Sequence, residues 1–502
     1  MLLRPRLRAL CLTLAIFMGA GLWAPSLVQA QGFGVYEQGS CAMARAGAAV
    51  ADGCGDGSSI YFNPAHVAGA DRLTVSLGAT LIDANGEFTY DYAARPPYTG
   101  AEVSLENDPI PVPHGYVTYG LTERLGVGLG TYVPFGLETN WPTRLSDGSY
   151  FDGAFEGFKN RIQSIYVQPT VAYQVTPKLQ VGGGPVLAIS SVELNQALDL
   201  SQQATPGGGP TFGELGVPFH TAFAESTLEA TNEVGYGANI GASYQATDRI
   251  SVGARFTTPI TVSYEGDAAF EQVQTGLVFP ATSPLAQDLP TDGNQDGNPD
   301  PTPADLLLAG QFDEGGVLDR YQQQASADGT LSTQTIETEI TFPFQLVAGV
   351  SVQASEKLLL LADYQLTGWS AFDEIPLQFS RLGDRAREEN YDNTHAVRLG
   401  AEYDVLDQLT ARVGYLHNTA AAPDEVVTPL LPESNRNQLT VGFGWRPIER
   451  AELTVSYQLL QQNDRRGRVR SPRAGESLST DLNQGVYSFG ANLFGTTLTL
   501  YL

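Results

Sequence analysis

The chain has 502 residues and a formal net charge of −27, and its 54 glycines, 22 tyrosines and 22 phenylalanines stand against three methionines. Its 55 acidic residues outnumber 28 basic ones, which argues against nucleic acid and against polybasic docking on anionic lipid, and fits acidic surface loops that hold divalent cations or keep the protein soluble in salt. The glycine and aromatic content suits many strands with aromatic girdles.

The first 30 residues read as an export signal. Arg4, Arg6 and Arg8 form a basic n-region, Leu10 to Leu22 an apolar core, and Val28-Gln29-Ala30 a small-x-small site, so cleavage is expected after Ala30, with Gln31 first in the mature chain. An uncleaved anchor helix is the alternative, but the apolar core falls short of the roughly 20 residues that a span needs. Nothing after Ala30 approaches such a run. If the mature protein is integral to a membrane it must be a closed barrel, because only helices and barrels satisfy every backbone group in lipid.

Residues 31–71 are rich in small residues (Ala44, Ala46, Gly47, Ala48, Ala49, Ala51) and precede the first convincing strand, Leu73 to Leu81. They fit either a periplasmic extension or a plug inside a barrel lumen. From 72 to 502 the punctuation yields about fourteen strands. Short links fall at Thr122–Arg124, Thr176–Lys178, Thr247–Asp248, Ala354–Glu356, Val405–Gln408 and Pro447–Arg450, interleaved with long connections near 91–110, 136–157, 201–226, 270–330, 380–391, 420–435 and 465–483. Periplasmic turns and extracellular loops alternate in this way, and an even strand count leaves both chain ends on the periplasmic side.

Several strands show two faces. Val397, Leu399, Ala401 and Tyr403 alternate with Arg398, Gly400, Glu402 and Asp404, and ionisable side chains on a spanning strand should point into a wet lumen. Ala411, Val413 and Tyr415 alternate in the same way with Thr410, Arg412 and Gly414, and Leu439, Val441, Phe443 and Trp445 with Gln438, Thr440, Gly442 and Gly444. The strand from Ile165 to Val175 carries Pro169, which calls for a bulge. The last strand, Gly485 to Leu502, sets Phe494, Leu498, Leu500 and Leu502 against Gly495, Thr497, Thr499 and Tyr501. Terminal Leu502 departs from the phenylalanine usual in barrels.

An ordered set of short motifs runs along the chain. Ala44-Arg45-Ala46-Gly47 and Tyr61-Phe62 lead to Asn63-Pro64-Ala65. Pro134-Phe135-Gly136-Leu137, Gln168-Pro169-Thr170-Val171-Ala172-Tyr173 with Gly182-Gly183-Gly184, Arg398-Leu399-Gly400, and Thr410-Ala411-Arg412-Val413-Gly414 follow. The set resembles the FadL/TodX family of outer-membrane transporters for long-chain fatty acids and aromatic hydrocarbons. That resemblance implies an all-β, fourteen-stranded transmembrane barrel with an N-terminal hatch at 31–71. It also implies passive transport of hydrophobic compounds by loop capture, an internal pocket gated by N-terminus and hatch, and lateral exit beside a kink in the third strand.

Carried over by position, the third mature residue is Phe33, which the resemblance places in the pocket, and the hatch turn is Asn63, Pro64 and Ala65. Each has a plainer reading, a buried anchor for Phe33 and a structural turn for Asn63. In the third strand, Leu125 to Phe135, Gly126, Gly128 and Gly130 would ease a kink or else fill the lumen face of an ordinary strand. Lys159 and Arg161, at the start of the fourth strand, are candidate cations for a carboxylate head group or for lipopolysaccharide at the rim.

The 270–330 connection departs from the family pattern. Asp292, Asn294, Asp296, Asn298 and Asp300 alternate as in a calcium loop, but position twelve is Pro303, so a structural Ca²⁺ site competes with a solvated loop tip. Cys41 and Cys54, the only cysteines after the signal, would form a disulfide in an oxidising periplasm or stay as buried thiols. The five histidines (His66, His114, His220, His395, His417) show no serine elbow or metal spacing, so no enzyme is expected. A hatch would block a general diffusion porin, and long acidic loops leave room for a secondary adhesive role. The expectation is a monomeric barrel of a Gram-negative outer membrane, inserted by the barrel-assembly machinery among lipid and lipopolysaccharide. Its first-choice substrates are long-chain fatty acids and its second aromatic or alkane hydrocarbons.

Overall fold

The computed structural model describes residues 32–70, 72–91, 100–205, 209–279, 302–308, 311–312, 329–473 and 475–502. The export segment with its cleavage site, and Asp292, Asn294, Asp296, Asn298 and Asp300, lie outside the described residues.

Fourteen antiparallel spans close into a barrel. In chain order they are β1 (Thr74–Tyr90), β2 (Ile110–Gly120), β3 (Leu125–Asn140), β4 (Lys159–Thr176), β5 (Leu179–Asp199), β6 (Ala222–Thr247), β7 (Ile250–Thr257 and Ile260–Gln272) and β8 (Gln334–Phe342 and Gln345–Ser355). They continue as β9 (Leu358–Thr367 and Glu374–Phe379), β10 (Gly383–Glu388 and Thr394–Leu406), β11 (Leu409–Asn418), β12 (Arg436–Ile448), β13 (Ala451–Gln462) and β14 (Gly485–Tyr501). The seam is continuous: β1 pairs with β14 from Thr74↔Tyr501 to Tyr90↔Gly485. Every backbone group along it is therefore paired, as hydrocarbon demands.

The six tight turns fall where the sequence predicts them, each two to four residues long. One connection differs. Residues 380–391 are not an open loop, because Glu374–Phe379 and Gly383–Glu388 pair with each other and extend the wall beyond β9 and β10. The third strand is also longer than predicted, running to Asn140. The two faces follow the alternation: Val397, Leu399 and Tyr403 are 46%, 49% and 47% exposed where lipid would cover them, while Arg398 between them is 2% exposed. No helix among the described residues is long and apolar enough to cross a membrane.

Prolines set the irregularities that shape the interior. The β4–β5 ladder runs to Val167↔Leu187 and resumes at Val171↔Gly183, skipping Pro169 and, opposite it, Pro185, neither of which can donate. β7 breaks at Thr258-Pro259 and β8 at Pro343-Phe344, side by side, since Ile260 pairs with Phe342 and Thr257 with Gln345. At the next strand a 3-10 turn, Trp369–Ala371, interrupts β9. Trp369 and Phe372 consequently leave the ladder, Phe342 ends its strand segment at the break, and all three are buried in the interior.

Residues 32–70 fill the lumen below these rings. They form α1 (Ser40–Ala44), α2 (Ser59–Phe62) and a 3-10 turn, Pro64–Gly69. Their backbone lies against glycines of the wall. A Cβ added to Gly126 or Gly253 would stand 2.0 Å from the carbonyl oxygen of Val67 or Val50, and one on Gly241 would stand 2.1 Å from Asn63 Oδ1. Polar ties complete the fit, with the amides of Ala49 and Val50 donating to Asp363 at 2.9 and 3.0 Å. Arg398 lies 4.3 Å from the ring centre of Tyr36.

Candidate functional site

β2 and β3 pair only from Gly115↔Thr131 to Gly120↔Gly126. Beyond that level β2 stays with β1 and β3 with β4, where Val133 and Pro134 are accommodated as a bulge between Tyr132↔Tyr166 and Phe135↔Ser164. A slit is left in the wall. Its free edge on β3 is taken by the N-terminal arm: Val35 N donates to Pro134 O at 2.8 Å, and Gly136 N donates to Phe33 O at 3.0 Å. Gln38 adds a two-way amide contact, donating to Val133 O at 2.6 Å and accepting from Val133 N at 2.9 Å. The arm thus supplies the bonds that β2 would otherwise give.

Phe33 is 4% exposed. Its ring meets Trp369, Phe372, Phe342 and Phe135 edge-on, with centroids 4.7, 5.7, 6.1 and 6.2 Å away. The preceding residue is clamped at both backbone atoms. Gly32 N–H donates to the Glu433 carboxylate, and Gly32 O accepts from Arg436 Nη2 at 3.1 Å. Glycine is needed there, because its φ is +60° and a Cβ would come within 2.6 Å of Trp369.

The ring separates two apolar cavities. One lies at the slit, between the arm, Ile82, Ile110, Val112 and Leu137. The other lies toward the extracellular loops, among Val192, Leu228, Ile336, Phe372 and Leu430. Phe33, Leu137 and Ile162 border both. Counting the solvent at their mouths, the two spaces amount to about 990 and 900 Å³.

Charge at these cavities is mostly neutralised internally. Lys159 is held by Glu193 at 2.8 Å. Arg161, on the wall of the slit cavity, lies 3.6 Å from Glu138 and keeps a half-exposed side chain. In the loop cavity Arg387 bonds Glu389 at 3.0 Å and Glu156 at 3.3 Å, and burial pushes the Glu389 carboxyl up against the opposing pull of Arg387.

The remaining predicted positions divide by role. Asn63 is fully buried: it accepts from Ala65 N at 3.1 Å and donates to Val50 O at 2.6 Å and to Ala242 O at 3.0 Å. Pro64 and Ala65 continue that turn, and the carbonyl of Pro64 rests on Gly182. Gly128 and Gly130 sit in regular pairing with β2 and face Ile60 of the plug. The strand irregularity falls one step later, at Val133-Pro134, because the glycines serve close approach of the plug. Phe135 belongs to the Phe33 cage. Cys41 and Cys54 are joined in a disulfide. The histidines lie apart, with partners such as Thr497 for His114 and Asp152 for His220. Trp369, Phe342, Phe372, Glu433 and Arg436 were not foreseen; they converge from distant segments that carry no common local pattern.

Comparison with known proteins places this geometry. A family model described as "Outer membrane protein transport protein (OMPP1/FadL/TodX)" matches residues 21–500. Outer membrane protein P1 of Haemophilus influenzae is 22% identical over 466 residues, covering 88% of each chain. Among solved structures, a Pseudomonas aeruginosa FadL homologue superposes with a TM-score of 0.72 at 19% identity, over 94% of this chain and 100% of that one. The Pseudomonas putida toluene transporter TodX does so with 0.63 at 16%, over 94% and 99%.

Proposed function

The chain belongs to the OMPP1/FadL/TodX family of outer membrane transport proteins for hydrophobic compounds, and on that basis we propose that it admits long-chain fatty acids passively through the slit beside β3. One observation carries this reading: Phe33, which borders both cavities, sits on the arm that seals the slit. An acyl chain filling the loop cavity competes for the ring's aromatic cage. The ring's departure draws Phe33 and Val35 off Pro134 and Gly136, and the slit opens sideways. Lateral exit suits an apolar solute, which gains little from periplasmic water. Arg161 is the head-group cation, since it lines the slit cavity and its 3.6 Å pair with Glu138 is looser than the 2.8 Å pair of Lys159 with Glu193.

Aromatic or alkane hydrocarbons are the second reading, favoured by Glu37 and Glu138 on the wall of the slit cavity, where a further carboxylate is unwelcome. The toluene channels among the structural neighbours point the same way. In either case the protein works as a monomer among outer-membrane lipid and lipopolysaccharide after insertion by the assembly machinery, and the Asp292–Asp300 stretch is either a solvated acidic tip or a Ca²⁺ site whose ion would order the loop and do no chemistry.

The test is uptake of labelled oleate and labelled toluene by cells lacking their own transporter and expressing this chain or its Phe33→Ala variant. Phe33 is a wall of both cavities, so the variant should retain ligand poorly and lose oleate uptake at low concentration. Toluene uptake alone moves the assignment to hydrocarbons. Passage of small polar solutes with neither ligand rejects the reading.

A further inference from the structure

Below the arm the plug is built differently. The Cys41–Cys54 disulfide closes the stretch 41–54, most of which has neither helix nor strand. Arg45 Nη2 lies 3.3 Å from Cys41 Sγ and 2.9 Å from Cys54 Sγ. The same guanidinium reaches Asp52 at 3.7 Å and Glu402 of β10 at 3.5 Å. Glu402 bonds Arg412 of β11 at 2.6 Å, and Arg412 stands 3.9 Å from Glu452 of β13, which holds Arg446 at 2.6 Å. An alternating chain of charges therefore runs from the disulfide across the wall. Both cysteines border a polar cavity that also touches Glu356, Lys357, Asp407 and Gln408, residues at the short turns. The cavity opens at the periplasmic end, while the Phe33 arm lies outside the disulfide loop and near the other end of the plug.

We propose that the Cys41–Cys54 bond is a redox lock on a second seal, one that excludes ions and small polar solutes and is worked from the periplasmic side. A dithiol entering the polar cavity attacks Cys41 Sγ as its thiolate. The S–S bond breaks, and Cys54 leaves as a thiolate beside the Arg45 guanidinium, a placement that favours the leaving group. The second thiol of the reductant resolves the mixed disulfide, so the reductant becomes a cyclic disulfide and Cys41 and Cys54 end as thiols. The loop 41–54 then loses the cross-link that closes it, Arg45 loses its fixed register against Glu402, and water and ions pass between plug and wall. Because the arm is untouched, hydrophobic uptake continues, and the lock stands or falls independently of the substrate assignment.

The experiment uses the full mature protein in planar lipid bilayers, with dithiothreitol added to one compartment at a time and the thiols counted afterwards by alkylation and mass spectrometry. Periplasmic-side reductant should release both thiols and raise the ion current several-fold, whereas extracellular-side reductant should act more slowly. A Cys41→Ser/Cys54→Ser double variant, checked for folding by its heat-modifiable gel mobility, should conduct without reductant and not respond to it. Reductant that frees both thiols while the current stays flat overturns the proposal, as does a folded double variant as tight as the parent. A disulfide that survives prolonged periplasmic dithiothreitol overturns it too, by removing the access on which it depends.

Discussion

Truncating Phe33 tests the coupling of arm, cage and slit at its most quantitative point. A buried Phe→Ala change costs about 3–5 kcal/mol where the site cannot collapse, and the Phe33 cage is made of four large aromatic side chains fixed by strand breaks. The other ties between arm and β3 are the Val35–Pro134, Gly136–Phe33 and two Gln38–Val133 hydrogen bonds. At roughly 1 kcal/mol net each they sum to about 4 kcal/mol. The ring is thus worth as much as all four bonds together. Removing it should multiply the population of released arm by about 10² to 4 × 10³, since each 1.4 kcal/mol is tenfold. Amide hydrogen exchange followed by mass spectrometry reads this directly, with residues 32–38 losing protection in Phe33→Ala while the β1–β14 seam serves as the unchanged internal standard. An arm that exchanges as in the parent would show that its backbone bonds alone hold it. Protection lost equally across the barrel would show that Phe33 stabilises the whole fold and not a gate. Either result refutes the reasoning.

Further expectations follow from other contacts. Arg161→Ala should weaken oleate binding about tenfold through one lost charge-assisted contact at a half-exposed site and leave toluene unaffected, while Lys159→Ala, which breaks only the Glu193 pair, should change neither in a direct binding titration. Asn63→Ala deletes a cap and two donated bonds, to Ala242 O and to Val50 O, the latter keeping its 3.2 Å contact with His66 Nε2, so exchange of residues 49–69 should quicken by an amount equal to about 1–3 kcal/mol, with the seam again unchanged. In the loop after β13, two bonds from Arg470 and the backbone N–H of Arg473 hold the Glu476 carboxyl down to about 2. The folded value lies below the unfolded one of about 4.3, so this clamp contributes above that pH and is lost as pH falls through about 2. A carbon-13 titration of Glu476 with its midpoint near 4 would contradict the clamp.

Much of the barrel was legible because its physics is local and repeated. Alternation along β10, β11 and β12 follows from one face meeting lipid and the other the lumen, and proline punctuation foretold the skipped rungs at Pro169. Phe33, Asn63 and the two cysteines were visible as motifs with counted spacing. Less legible was anything that depends on which distant residues meet. Of the two readings of Gly126, Gly128 and Gly130, the ordinary lumen-face strand fits their regular pairing against the plug, and the irregularity at Val133-Pro134 carries no glycine to mark it. Trp369, Phe342 and Phe372 reach Phe33 because three neighbouring strands break at one level, and no single segment carries that information. Glu433 and Arg436 clamp Gly32 across some 400 positions of sequence. The second arm of the 374–388 hairpin falls in the connection expected at 380–391, where Arg385, Arg387 and Glu388 have the polarity of a loop.

The β1–β14 seam also dictates an order of events during biogenesis. The strand that follows the plug cannot find its lipid-side partner until the final residues of the chain are in place, because seventeen consecutive pairs join Thr74–Tyr90 to Gly485–Tyr501. Until then the sheet is an open trough, and residues 32–70 can settle against their glycine bed from the side. Once the last strand docks, the same segment is imprisoned by a closed wall whose slit beside β3 is filled by the segment's own arm. A chain truncated before Gly485 should therefore fail twice, leaving both an unpaired sheet edge and an uncaged N-terminus that proteases can reach.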